Sequence, residues 1–152
     1  MTTRREALSQ SLKVAALLAT AGLLPKTVLA AWPQAAFDAK SVPDALKALG
    51  GGAMSESKDV TLTGPDIAEN GAVVPVGVST TLAGVKRMVL LVEKNPNVLA
   101  AVFDVSDAVE PNFNTRVKMG QSSNVFAVAL MNDGRVLHTS KEIKVTLGGC
   151  GG

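Results

Sequence analysis

From Val60 onward the chain is a succession of short apolar runs, alternating residue by residue and cut by turn residues, with no helical period between them. Val60 and Leu62 alternate with Thr61 and Thr63 before a Gly64-Pro65 break. Such alternation puts one set of side chains on each face of a pleated strand. The next run, residues 72–79, is interrupted by Pro75 and so reads as an edge or bulged strand. Residues 85–93 contain Met88-Val89-Leu90-Leu91-Val92, apolar on both faces and therefore central. A Lys94-Asn95-Pro96-Asn97 turn leads to a strand over 98–105. Residues 113–119 set Arg116 and Lys118 against Val117 and Met119, and 124–131 are again strongly apolar. Asn132-Asp133-Gly134 supplies the positive-φ residues of a hairpin turn. The final strand places Ile143, Val145 and Leu147 on one face and Glu142, Lys144 and Thr146 on the other, anchoring the chain up to Leu147. Seven strands of this kind predict an all-β, immunoglobulin-like two-sheet antiparallel sandwich.

A short helix precedes the strands. Ser41 can cap it, Pro43 falls in its first turn, and Ala45, Leu46, Ala48 and Leu49 form its apolar side. Gly50-Gly51-Gly52 ends it. The triple glycine is no phosphate loop, because no Gly-Lys-Ser/Thr follows.

The first thirty residues have a different character. Arg4-Arg5 and Lys13 precede an uncharged run over 14–24, too short to span a bilayer core, and Val28-Leu29-Ala30 offers small or neutral residues at the positions a signal peptidase reads. Residues 1–30 are therefore expected to be a cleaved signal peptide of twin-arginine type, delivering the protein to the periplasm with no membrane span remaining. The chain holds 15 Lys+Arg and 13 Asp+Glu; the leader takes Arg4, Arg5, Lys13, Lys26 and Glu6, which leaves eleven basic and twelve acidic residues. A net charge near −1, one Trp and no Tyr give nucleic acid neither a basic surface nor stacking platforms. The remaining chain, about 120 residues, is one domain's worth: a sandwich over 31–147 and an arm over 148–152.

That arm is Gly148-Gly149-Cys150-Gly151-Gly152, and Cys150 is the only cysteine. Glycines on both sides leave no bulk to bury a sulfur against, and they permit a thin arm that passes into a narrow cleft. A prenylation signal needs its cysteine fourth from the end, whereas this one is third. One thiol forms neither an internal disulfide nor a thiolate zinc site. The favoured reading is a tethered, working thiol. In an oxidising compartment it would also pair with its twin, giving a Cys150–Cys150 dimer.

The same residues carry a family resemblance. Lys144-Val145-Thr146-Leu147-Gly148-Gly149-Cys150-Gly151-Gly152 resembles the carboxyl terminus of the sulfur-carrier protein of the periplasmic thiosulfate-oxidising (Sox) system, the SoxY family. Pro65-Asp66-Ile67-Ala68-Glu69-Asn70-Gly71 leading into Val74-Pro75-Val76, Glu93-Lys94-Asn95-Pro96, and Gly120-Gln121-Ser122-Ser123 are also similar to that family, so the likeness spans the mature domain. The resemblance implies a carrier and not an enzyme, with covalent sulfur adducts on Cys150 and no other cofactor. It implies a heterodimer with a small all-β partner of the SoxZ type. It further implies a c-type cytochrome that joins thiosulfate to the thiol, a hydrolase that releases sulfate, and possibly a sulfane dehydrogenase. No Lys, Arg or His lies nearer to Cys150 than Lys144, so any activation of the thiol must come from partners.

Other residues read as structural. His138, the sole histidine, is expected at a surface or sheet-edge position; Asp66 and Glu69 are expected in a turn, solvated or capping. Arg116 and Lys118 are expected on a solvated face, where they could meet an acidic partner. No nucleophile–base set and no metal set is visible. Two other functions share these features: an exported sandwich binding module with an incidental tail, and a terminal Gly-Gly thiocarboxylate carrier. The second needs a cytoplasmic adenylating enzyme and a ubiquitin-like fold, which an exported seven-stranded chain does not match.

Overall fold

The computed structural model describes residues 33–147; the leader and the arm residues Gly148, Gly149, Cys150, Gly151 and Gly152 lie outside the described residues. Two short helices, α1 (Gln34–Phe37) and α2 (Val42–Ala48), come first. The strands follow: β1 (Met54–Glu56), β2 (Val60–Thr63), β3 (Ile67–Ala68), β4 (Val74–Thr80), β5 (Val85–Val92), β6 (Leu99–Asp104), β7 (Asn112–Val117), β8 (Ser123–Met131) and β9 (Val136–Val145). The larger sheet runs β1-β9-β8-β5-β6, with β3 also paired to β9; the smaller runs β2-β4-β7.

The doubly apolar β5 does lie inside the larger sheet, paired antiparallel to β6 and β8. Its Met88, Leu90 and Val92 face the smaller sheet and share one core cluster with Val74, Val76 and Val78 of β4 across from them and with Ile143 of β9 in their own sheet. Val89 and Leu91 point the other way, into a second apolar layer covered by Ala36, Val42, Ala45 and Leu46 of the helical segment. Each such fully buried side chain contributes roughly 1.5–3 kcal/mol. The helical segment therefore serves as a lid on the outer face of the sheet. Its local signals act as expected: Ser41 Oγ accepts from the Asp44 N–H at 3.3 Å, and Pro43 occupies the first turn. Gly50, at φ 80°, closes α2, while the Gly51 N–H donates to Leu46 O at 2.8 Å.

The seven expected strands are β2 and β4 to β9, and the sandwich architecture is as expected. Two short strands, β1 and β3, are additions, and both pair with β9 in parallel, one at each end of it. Pro75 is not on an edge strand, since β4 is the middle strand of its sheet. It is tolerated because β2 ends opposite Gly77, so at Pro75 that flank of β4 is locally open. β9 also stops short of expectation, at Val145, and Leu147 is 69% exposed instead of packed. The reason lies in the register: β8 begins at Ser123 opposite Ile143, so beyond Val145 there is no sheet face left to receive an apolar side chain.

Candidate functional site: the stem before Cys150

β9 presents alternate N–H groups to its two flanks, and near its end each flank is occupied by a loop. On one side β3 sets Ile67 opposite Lys144 and Ala68 opposite Val145. The Lys144 N–H donates to Asp66 O at 3.0 Å and the Thr146 N–H to Ala68 O at 3.1 Å. Thr146 Oγ1 donates to Glu69 O at 3.0 Å, and the Gly71 N–H donates to Leu147 O at 2.8 Å. On the other side, where the β8 ladder has run out, Ser122 Oγ takes its place and accepts the Val145 N–H at 2.9 Å. The stem is thus bonded on both flanks as far as Val145, and on the β3 side through to the carbonyl of Leu147.

The clamping loops are themselves tied down. Asn70 Oδ1 accepts the Ala72 N–H at 2.8 Å, an Asx turn, and Gly71 O accepts the Met119 N–H at 2.7 Å. Asn95 Nδ2 donates to Lys118 O at 2.7 Å, and its Oδ1 accepts the Gly120 N–H at 3.3 Å. Ser123 Oγ accepts the Lys94 N–H at 3.0 Å. Lys141 Nζ, on β9, donates to Gly64 O at 2.7 Å and pairs with Asp66 Oδ1 at 2.8 Å, fixing the crossover that leads into β3. That hydrogen bond, reinforced by the lysine charge, holds the Asp66 carboxyl below the usual carboxylate range. The three interior stretches that resemble the SoxY family, far apart in sequence, are therefore bonded into one platform around the stem.

Around this platform exposed apolar side chains are concentrated. Four large apolar side chains are exposed among the described residues, and Ile67, Val73 and Leu147 belong to the stem or its clamp. Only Val109 lies elsewhere. Partner-binding surfaces are commonly marked in this way.

The remaining candidates are placed as follows. Asp66 and Glu69 form no acid–base pair: one holds Lys141, and the other lends only its carbonyl to Thr146. Arg116 is exposed on β7, and Lys118 follows that strand's end. His138 is half-buried and not on an edge strand, because β1 pairs with β9 at this point with Glu56 opposite it. Its ring lies 6.0 Å from Phe126, and its Nδ1 is buried without a hydrogen-bond partner. No group of three His, Cys, Asp or Glu side chains suited to a metal occurs among the described residues. Ser122, Thr146 and Gly71 are the functional residues that sequence reasoning did not single out; the Asn-Gly and Ser-Ser pairs were the available signal.

A two-sheet sandwich that clamps the strand leading to its single thiol is a carrier scaffold in design. The sequence model "Sulfur oxidation protein SoxY" matches residues 45–150, and the chain belongs to the SoxY family of sulfur carriers. Among solved structures, the sulfur carrier protein SoxY from Chlorobium limicola f thiosulfatophilum is similar at 32% identity, with a TM-score of 0.57, over 62% of this chain and 84% of that one. The superoxide reductase (neelaredoxin) from Ignicoccus hospitalis is similar at 21% identity and a TM-score of 0.51, over 57% of this chain and 79% of that one. A superoxide reductase-like protein from Thermotoga maritima gives 15% identity and 0.51, over 60% and 93%. Those two share the fold alone. No curated protein sequence matches significantly.

Proposed function

We propose that this chain is a periplasmic carrier of thiosulfate-derived sulfur, exported by the twin-arginine route with removal of residues 1–30, and loaded on the Cys150 thiol. The observation that carries this reading is the stem: hydrogen-bonded on both flanks as far as Val145 and on one flank through the Leu147 carbonyl, it ends three residues before the only cysteine. Three residues reach at most about 10 Å. A fixed root and a short tether keep the thiol at high effective concentration for a partner docked on the platform.

In loading, the cysteine sulfur bonds to the outer sulfur of thiosulfate. The thiol proton is released and two electrons leave to a c-type cytochrome partner. A hydrolase then adds water across the sulfur–sulfonate bond, releasing sulfate and a proton and leaving a persulfide on Cys150. A sulfane dehydrogenase or sulfur transfer would clear that sulfur. The carrier supplies no catalytic group and no cofactor of its own; Cys150 is its site and Gly148, Gly149, Gly151 and Gly152 give clearance. Ile67, Val73 and Leu147 are the contact rim for these enzymes, and a SoxZ-type β protein completes a heterodimer.

The test is intact-mass measurement of the protein from cells oxidising thiosulfate, beside a Cys150→Ser variant. Adducts of sulfur and sulfonate mass are expected on the parent chain and none on the variant. The melting temperature should be unchanged, because serine is close to cysteine in size and the position follows the last strand, β9. A chain recovered free of adducts during active oxidation would overturn the carrier role.

A further inference from the structure

The outer face of the smaller sheet holds a cleft of about 480 Å³. Val74, Val76 and Val78 of β4 and Val117 of β7 face the core, which leaves Thr63, Pro75, Gly77, Asn114 and Arg116 on the outside. Register sets Thr63, Gly77 and Asn114 in one row across the three strands, with Pro75 opposite Arg116 in the next. No β2 residue stands opposite Pro75, because Gly64-Pro65 carry the chain away, and the cleft opens there.

Gly77 is the unusual residue. A glycine inside a middle strand weakens it, and this one has no positive φ to require it. What requires it is the space above: a Cβ there would run into Thr63 Oγ1 and Asn114 Oδ1, the ends of two side chains that close over it. Neither side chain has a hydrogen-bond partner among the described residues, and Arg116 makes no ion pair there. Among the described residues no carboxylate lines the cleft, while Pro65 and Pro75 supply apolar walls.

We propose that this cleft binds an organic oxyanion, a sulfonate- or carboxylate-headed molecule with a slim apolar body. Arg116 is the head's cation, with a planar fork suited to two oxygens. The Thr63 hydroxyl and the Asn114 amide donate to it, and the body lies along Pro65 and Pro75. The volume argues against a bare tetrahedral ion, which would leave most of the cleft empty. A mostly apolar wall with a few converging polar groups is the usual make-up of a small-molecule site.

The test is titration of the Cys150→Ser chain with butanesulfonate at constant ionic strength, read from backbone amide shifts, with sulfate and chloride as controls. Saturable shifts confined to β2, β4 and β7 are expected, with sulfate at least tenfold weaker and chloride without effect. Arg116→Gln should weaken binding at least tenfold. Gly77→Ala should do likewise while the fold is kept, since the atoms it meets are side-chain ends and its backbone suits alanine. Absence of saturation with butanesulfonate, an equal response to chloride, or full affinity in both variants overturns the site; affinity for sulfate alone overturns the organic ligand. If the carrier role holds, a sulfonate-ended adduct on Cys150 shares this chemistry. The titration is therefore repeated on the parent chain treated with tetrathionate, whose S–S bond the Cys150 thiolate attacks, forming the adduct and expelling thiosulfate. Lost affinity there assigns the cleft to the chain's own cargo, and retained affinity to a free molecule.

Discussion

Asp66 is fully exposed, yet its Oδ1 stays 2.8 Å from Lys141 Nζ at the crossover that supports the stem. The hydrogen bond first, and the lysine charge second, lower its carboxyl pKa. A carboxyl whose pKa falls on folding adds stability that is complete above its unfolded value of about 3.9 and is lost as pH drops through the lower folded value. Solvent screens so exposed a group, so the increment is small. Asp66→Asn should therefore lower the melting temperature slightly and by a constant amount above about pH 5, and the gap should close as the medium is acidified through the unfolded value and on through the lower folded one. Melting curves of both proteins across that range check this. A gap undiminished at the acid end would mean that Asp66 acts through something other than its charge.

At the scale of elements, β9 depends on side chains that replace missing ladder. Ser122 Oγ is the clearest, standing in for a β8 residue against the Val145 N–H. Ser122→Ala leaves that donor unpaired and should cost about 1 kcal/mol. Amide exchange should speed up at Val145 while staying slow at Leu90 in the core; unchanged exchange at Val145 would show that the clamp does not rely on Ser122. The elements differ in how far the sequence reveals them. Strict alternation in β2, β7 and the later part of β9, the doubly apolar β5, and the Ser41, Pro43 and Gly50 signals of α2 are all local, and all are visible in the chain. β1 and β3, at three and two residues, are too short to show any period, and they exist because the backbone of β9 pairs with them. The clamp is likewise hidden, since Val145 finds Ser122 23 residues away and Thr146 finds Glu69 77 residues away. Leu147 keeps the alternation of its strand, but alternation says nothing about where the neighbouring strand begins.

For the molecule as a whole, the exposed stem and rim set the surface from which the chain leads to its one cysteine. Leu147 is 69% exposed and Ile67 57%, so the chain passes Leu147 at the surface, with apolar side chains beside it. Residues 31–152 carry eleven basic and twelve acidic side chains, a net charge near −1 that gives two copies little mutual repulsion. A disulfide requires Cα atoms within about 7 Å. The glycines on both sides of Cys150 put no Cβ in the way of that approach. Protein purified in air without reductant should therefore contain a covalent Cys150–Cys150 dimer, which blocks the thiol until it is reduced. Such a bond joins two unbranched glycine-flanked segments and should be readily reducible. Non-reducing electrophoresis should show a band at twice the mass that disappears with dithiothreitol and is absent from Cys150→Ser. A parent chain that stays monomeric through prolonged aerobic storage, with its thiol still titratable, would mean that the thiol is sequestered and does not stand clear of the platform.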